Sequence, residues 1–369
     1  MPGTGVNLGP LHRSDPAFLG PYRLLGRLAA GGMGRVYLAA RPDGGGLAAV
    51  KTLLAEGTVT EADRVRFARE VTVAQRVAAA HTARVLDADP HAARPWLATE
   101  YVAAPSLGEL VARRGPADPA AVTRIARDCA TALDALHAAG VVHRDLKPQN
   151  ILLSSDGVRL IDFGISHATD LTRTKVTLGT IAYIAPEQAR GEPATPAGDM
   201  YALGVTLCTL ATGRPPYAEI GDPVRLLALV SRGKVDLDGV PDSLLPVVRA
   251  CLELDPAHRP GPADLRALAE ERAAVPWPPG PDTSHLPDGW AALVSDYWYQ
   301  GRDLERQVRA EARPTTDPTP ARRVAGLTPR GWKAAGTFVS SLGALILVGL
   351  GGLLVIITIV AVVIAVVAG

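Results

Sequence analysis

The sequence predicts an α+β chain in two unlike parts, followed by a connector and a single membrane-crossing helix. A small β-rich part with one helix occupies about 18–102, and a larger helical part about 103–275. Three observations carry this. Residues 22–25, 30–38, 48–51 and 96–102 read as strands around one amphipathic stretch. Beyond residue 105 the composition turns helical. From Phe338 to Gly369 there is no charged side chain.

In chain order, residues 1–17 are rich in Gly and Pro and read as a disordered lead-in, without the apolar run of a signal peptide. The runs 22–25 and 30–38 flank glycines that let backbone N–H groups approach an anion where a Cβ would collide. Residues 48–51 form a strand bearing one lysine. Between Thr60 and Ala80, Val65, Ala68, Val71 and Val73 recur among charges as on an amphipathic helix. The strand 96–102 leaves the small part through a connector, 103–105. Val122, Ile125, Ala126, Cys129, Leu133 and Leu136 then mark a helix over 120–139, with Gly140 as its C-cap. Asp199 opens another apolar helix. A Pro-rich connector spans 276–337, and Trp290, Leu293, Val294, Tyr297, Trp298, Leu304 and Val308 predict an amphipathic helix within it over about 288–312. That helix lies either on the preceding domain or on a membrane surface.

The net charge of +1 gives no argument for nucleic acid as a partner. Cys129, Cys208 and Cys251 are far apart in apolar surroundings and read as buried free thiols of a reducing compartment. The C-terminal uncharged run exceeds the ~20 helical residues that cross a ~30 Å membrane core, so 338–368 is expected to span. Arg322, Arg323, Arg330 and Lys333 crowd its N-terminal flank, which places the domain before it in the cytoplasm.

The chemistry is concentrated in His143-Arg144-Asp145-Leu146-Lys147-Pro148-Gln149-Asn150. Asp145 can accept a proton from a hydroxyl, Lys147 can neutralise a phosphate oxygen, and Asn150 can offer a carbonyl oxygen to a hard cation. Asp162-Phe163-Gly164 brings a second carboxylate. Oxygen ligands on neighbouring strand ends, with a base and a cation between them, suit phosphoryl transfer from a metal-bound nucleotide. These stretches resemble the catalytic loop and metal-binding tripeptide of bacterial eukaryotic-like (Hanks-type) serine/threonine protein kinases, membrane-anchored members included. With Gly31/Gly34, Lys51, Glu70, Glu187, Asp199 and Arg259, the motifs stand in that family's order and spacing from about Tyr22 to Arg272.

The resemblance implies the two-lobed protein kinase fold. It assigns Leu28, Ala29, Gly31, Gly32, Gly34, Val36, Ala49, Lys51, Thr99, Glu100 and Val102 to ATP, with Ala29 standing where the family has a glycine. Lys51 would hold the α- and β-phosphates, fixed by Glu70, and Asn150 and Asp162 would hold Mg²⁺ or Mn²⁺. Asp145 and Lys147 are the expected catalytic base and charge-neutralising lysine. Asp199 would brace the catalytic loop, and Arg259 would pair with Glu187. Lys147 together with Thr180 resembles the Ser/Thr branch, so protein serine and threonine hydroxyls are the implied acceptors. Thr172 and Thr174 resemble an autophosphorylated pair whose charge would meet Arg144, in trans within a homodimer at the membrane. The alternative from another class is a membrane-anchored nucleotide-binding pseudokinase scaffold, with Ala29 as its one sequence feature.

Overall fold

The computed structural model divides the chain into an N-terminal lobe that is mainly sheet and a C-terminal lobe that is mainly helical. It describes residues 8–31, 34–53, 60–77, 81–162, 178–217, 221–271, 283 and 286–312. The membrane helix expected at 338–368 lies outside these residues. Among the described residues no helix is long and apolar enough to cross a membrane.

The N-terminal lobe is an antiparallel sheet of β1 (Phe18–Leu19), β2 (Tyr22–Gly31), β3 (Gly34–Ala40), β4 (Leu47–Leu53), β5 (Val85–Asp89) and β6 (Trp96–Glu100). Their spatial order is β1-β2-β3-β4-β6-β5. Alternation buries Tyr37 and Ala39 of β3, Ala48 and Val50 of β4, and Trp96 and Ala98 of β6 in one cluster with Tyr22 and Leu24. Gly34 begins β3 so close to β4 that a Cβ there would collide with the Thr52 carbonyl oxygen. The lobe's one helix, α1 (Glu61–Ala74), starts at Thr60, whose hydroxyl accepts from the Asp63 N–H while the Asp63 carboxylate accepts from the Thr60 N–H. Phe67 and Val71 pack from α1 onto Leu97 of β6.

Residues 8–17 correct the expected disorder. Gly9 and Arg27 exchange two backbone hydrogen bonds of 2.8 Å. The Asp15 carboxylate, fully buried, accepts from Arg27 Nε and Nη2 at 2.7 Å, from the Tyr37 hydroxyl at 2.7 Å and from Arg35 Nη1 at 3.1 Å. Charge-assisted bonds of this kind outweigh the ordering cost that a Gly- and Pro-rich composition implies. Residues 1–7 lie outside the described residues.

The C-terminal lobe is built on α2 (Leu107–Arg114), α3 (Pro119–Ala138), a hairpin of β7 (Ile151–Ser154) and β8 (Gly157–Leu160), α4 (Leu178–Ile181), α5 (Pro186–Ala189), α6 (Pro196–Thr212), α7 (Pro223–Ser231), α8 (Leu245–Cys251) and α9 (Pro262–Glu270). The α3 stripe Val122, Ile125, Cys129, Leu133 and Leu136 is fully buried, and the helix is followed by Gly140 at φ +73°. Buried on nearly all sides, α6 crosses α8 so closely that a Cβ at Gly204 would lie 2.7 Å from the Cys251 Cβ. All three cysteines are buried and free; burial pushes the Cys208 thiol up to about 11 and that of Cys251 to about 12. They are therefore inert packing groups at neutral pH.

The final described helix, α10 (Asp288–Ala312), lies on the domain. Trp290, Leu293, Val294 and Tyr297 join the core of the C-terminal lobe, and Val308 packs with Leu38, Ala40 and Leu47 of the N-terminal lobe. Its apolar side is thus committed to protein and not to a membrane surface.

The Asp15 cluster has a pH signature. The Arg27 guanidinium beside it holds the Asp15 carboxyl well below the usual carboxylate range. Its stabilising effect is therefore present above the unfolded pKa of about 3.9 and is lost as pH falls below that. The melting temperature of wild type should exceed that of Asp15→Asn at pH 7, and the gap should shrink steadily below about pH 4. A gap independent of pH would contradict this placement of the charge.

Candidate active site

The hairpin β7–β8 presents two loops toward the sheet of the N-terminal lobe. Before β7 runs the segment 141–150, which is shaped from below by Asp199 in the first turn of α6. The Asp199 carboxylate, 2% exposed, accepts from His143 N at 2.8 Å and Arg144 N at 2.9 Å, and pairs with His137 Nε2 at 2.8 Å. Arg144 is held at φ +68°, a conformation non-glycine residues seldom adopt. The other such residue among those described is Asp162, at φ +56°, after β8. Backbone strain is therefore located at the two carboxylate-bearing loops. His143 is fully buried, and burial lowers its pKa, so it serves as a neutral wedge under the loop.

Above this brace the side chains converge. Lys147 Nζ lies 2.9 Å from both carboxylate oxygens of Asp145 and 3.3 Å from the Thr180 hydroxyl. Asn150 Nδ2 donates to the Asp145 carbonyl at 2.7 Å and to its Oδ2 at 2.9 Å. Asp145 thus has its orientation fixed from two sides. Lys51 Nζ of β4 bonds Asp162 Oδ1 at 3.0 Å, joining the lobes.

Between the lobes lies a cleft of about 420 Å³. Leu28, Ala29, Val36, Ala49, Lys51, Thr99, Glu100, Val102, Asn150 and Asp162 all line it. Of the glycines assigned to the nucleotide, Gly31 and Gly34 pair across the β2–β3 hairpin, and Gly32 lies outside the described residues. Ala29 sits opposite Val36 in the ladder with a negative φ, where alanine is unstrained. Glu70 is on α1, but its side chain lies outside the described residues, and the partner seen for Lys51 is Asp162. Thr172 and Thr174 also lie outside the described residues. Leu152, Ile161 and Tyr297 are among the lining groups not anticipated from sequence. Leu152 and Ile161 carry no motif and are identifiable only from the hairpin's position. Tyr297 comes from α10 and reaches the cleft because that helix docks on the domain.

Farther from the cleft, Arg259 and Glu187 form a buried two-pronged pair at 2.7 and 2.8 Å, with side chains 0% and 2% exposed. The remaining donors of Arg259 go to the carbonyls of Glu253, Ala197 and Leu254, and its guanidinium lies over the Tyr201 ring at 4.9 Å. Every guanidinium N–H is therefore used, which is what allows the charge to be buried.

With a strand-borne lysine, a paired carboxylate and a braced catalytic loop around one cleft, comparison with known proteins is decisive. Residues 22–271 match the family described as protein kinase domain. The chain belongs to the protein kinase family. Its kinase domain is of the serine/threonine kind: the serine/threonine-protein kinase AfsK of Streptomyces coelicolor is 43% identical over 328 residues, covering 88% of this chain and 40% of that protein. The probable serine/threonine-protein kinase PkwA of Thermomonospora curvata is 44% identical over 285 residues, 76% of this chain and 37% of that protein. The chain thus spans well under half the length of these relatives. The crystal structure of the Mycobacterium tuberculosis PknI kinase domain superposes with a TM-score of 0.55 at 29% identity, covering 71% of this chain and 98% of that domain. A match covering 88% of the kinase chain must include α10 wherever it begins, so the likeness to AfsK extends past residue 271.

Proposed function

We propose that the chain is an active, membrane-anchored serine/threonine kinase that transfers the γ-phosphate of ATP to protein hydroxyls and is switched on by autophosphorylation. The observation that carries the reading is Asp145, held by Lys147 and Asn150, with Lys147 also reaching the Thr180 hydroxyl and the Lys51–Asp162 bond joining the lobes beside the cleft.

The cleft's apolar walls at Val36, Ala49 and Leu152 suit a flat nucleobase, and Lys51 suits its phosphates. Asp162 offers carboxylate oxygens and Asn150 its Oδ1, since its Nδ2 is committed to Asp145; such a donor set fits a hard divalent cation such as Mg²⁺ or Mn²⁺. Among the described residues no cluster of three His, Cys, Asp or Glu side chains is arranged to hold a metal, so phosphate oxygens would complete the shell. When bound, the ion neutralises charge on the phosphates. Asp145 accepts a hydrogen bond from the acceptor hydroxyl, aligns its oxygen for attack on the γ-phosphorus and takes its proton. The new O–P bond forms as the bond to the bridging oxygen of ADP breaks, and Lys147 offsets the negative charge that develops. Thr180 beside Lys147 fits a serine- or threonine-sized acceptor. Ala29 sits unstrained in the ladder and so does not argue for the scaffold alternative.

The membrane anchor rests on the uncharged run 338–368 and the basic residues before it, which together favour a single-pass protein with its kinase domain in the cytoplasm. Confinement to a membrane raises the local concentration of the chain, favouring phosphorylation of Thr172 and Thr174 in trans within a homodimer.

Asp145→Asn should lower kcat for a basic Ser/Thr peptide by about 10²–10⁴ while leaving nucleotide affinity nearly unchanged. Near-normal turnover by this variant would exclude Asp145 as the base. For anchorage and switching, intact cells shaved with external protease should yield an uncut kinase domain phosphorylated at Thr172 and Thr174. Cleavage within 18–275, or full activity with both threonines unmodified, would contradict these two proposals respectively.

A further inference from the structure

One lining residue of the cleft, Tyr297, comes from outside the segment that defines the kinase match. Along β4 and β6 the order is Lys51, then Ala49 opposite Thr99, then the hinge strand's end at Glu100 and the turn into α2. Glu109, in the first turn of α2, therefore lines the hinge side of the cleft, away from Lys51. Its Oε1 accepts from Arg113 Nη1 at 2.7 Å, and its Oε2 accepts from the Tyr297 hydroxyl at 2.6 Å.

Tyr297 is brought there by close docking of α10. One turn later on the same face is Gly301, where a Cβ would collide with the Ala103 Cβ of the hinge connector and come within 3.9 Å of the Tyr101 ring. A glycine inside a helix costs about 1 kcal/mol relative to alanine, and here it permits the helix to press against the hinge. The helix is pinned on both sides of that contact. Trp290 Nε1 donates to the Gly115 carbonyl at 3.2 Å at the end of α2, while Val308 lies among Leu38, Ala40 and Leu47 and Glu311 pairs with Arg23 at 2.6 Å on the N-terminal lobe. Tyr297 is 6% exposed and its position is set by these anchors, not by its own rotamer freedom.

We propose that Tyr297 is a nucleotide-binding residue of this kinase: its ring closes the hinge side of the cleft against the nucleoside, and its hydroxyl holds the Glu109 carboxylate toward the ligand. The assignment rests on the kinase reading above and adds α10 to the machinery that sets ATP affinity. Removing the ring opens the cleft to water at the nucleoside, far from the transferred phosphate, so affinity falls and the chemical step does not.

The test uses the full chain and two readouts: KM for ATP in peptide phosphorylation, and ADP affinity by calorimetry. Tyr297→Ala should raise both constants by about tenfold, equivalent to ~1.4 kcal/mol, with kcat at saturating ATP within about twofold of wild type. Tyr297→Phe, which keeps the ring and so the packing, should raise them about threefold by leaving Glu109 one donor short. Tyr299→Ala, on the exposed side of the same helix, should leave both constants unchanged. Unchanged KM and ADP affinity in Tyr297→Ala or, if that variant does not fold, in Tyr297→Phe would overturn the proposal. A fall in kcat with unchanged affinity would likewise overturn it. Wild-type protein that neither binds ADP nor transfers phosphate would instead refute the kinase reading on which it stands.

Discussion

The structure depends on a carboxylate that never meets substrate. Asp199 is buried at the start of an apolar helix, where an unpaired charge would be prohibitive, and it is tolerated because three donors converge on it from His137, His143 and Arg144. Two of those donors are consecutive backbone N–H groups, and capturing both is what holds Arg144 in a left-handed conformation. That turn aims the next residue, Asp145, out of the loop. The catalytic carboxylate is therefore positioned by the core of the C-terminal lobe and not by its own solvated surroundings.

The same arrangement recurs at larger scale, with buried charges fixing backbone that must be irregular. Arg259 spends all its donors on Glu187 and three carbonyls, tying the segment before α6 to the loop before α9. Asp15 gathers Arg27, Arg35 and Tyr37 at the root of the glycine-bearing hairpin. The lobes themselves are joined by the hinge, by the Lys51–Asp162 bond and by α10, which spans the hinge from Gly115 to Arg23. Opening and closing of the cleft must therefore work against a helix as well as a short connector.

How much of this was readable beforehand follows from which forces are local. The strands and helices that carry motifs were legible because periodicity and capping residues act over a few positions, as at Gly140. The constellation of Asp145, Lys147 and Asn150 was legible because its spacing within one loop is itself the geometry. Residues 8–17 were misread, because composition argued for disorder while the ordering contact, Asp15 with Arg27 and Arg35, depends on strand register. Tyr297 was recognised as part of an amphipathic helix, but amphipathicity does not say which surface the helix covers. Its place in the cleft rests on Gly301 meeting Ala103, a contact between positions almost two hundred residues apart that no local pattern encodes.

The most direct measurement is to separate binding from transfer in Asp199→Asn, a substitution that keeps volume but replaces one acceptor oxygen with a donor facing the loop's N–H groups. The account predicts a folded protein, verified by thermal melting, whose ADP affinity stays within about threefold of wild type while phosphate transfer falls by about 10² or more, the scale expected when a reacting group is displaced by about 1 Å. Transfer at the wild-type rate by a folded Asp199→Asn chain would contradict it, because the loop would then hold Asp145 in place without the buried carboxylate.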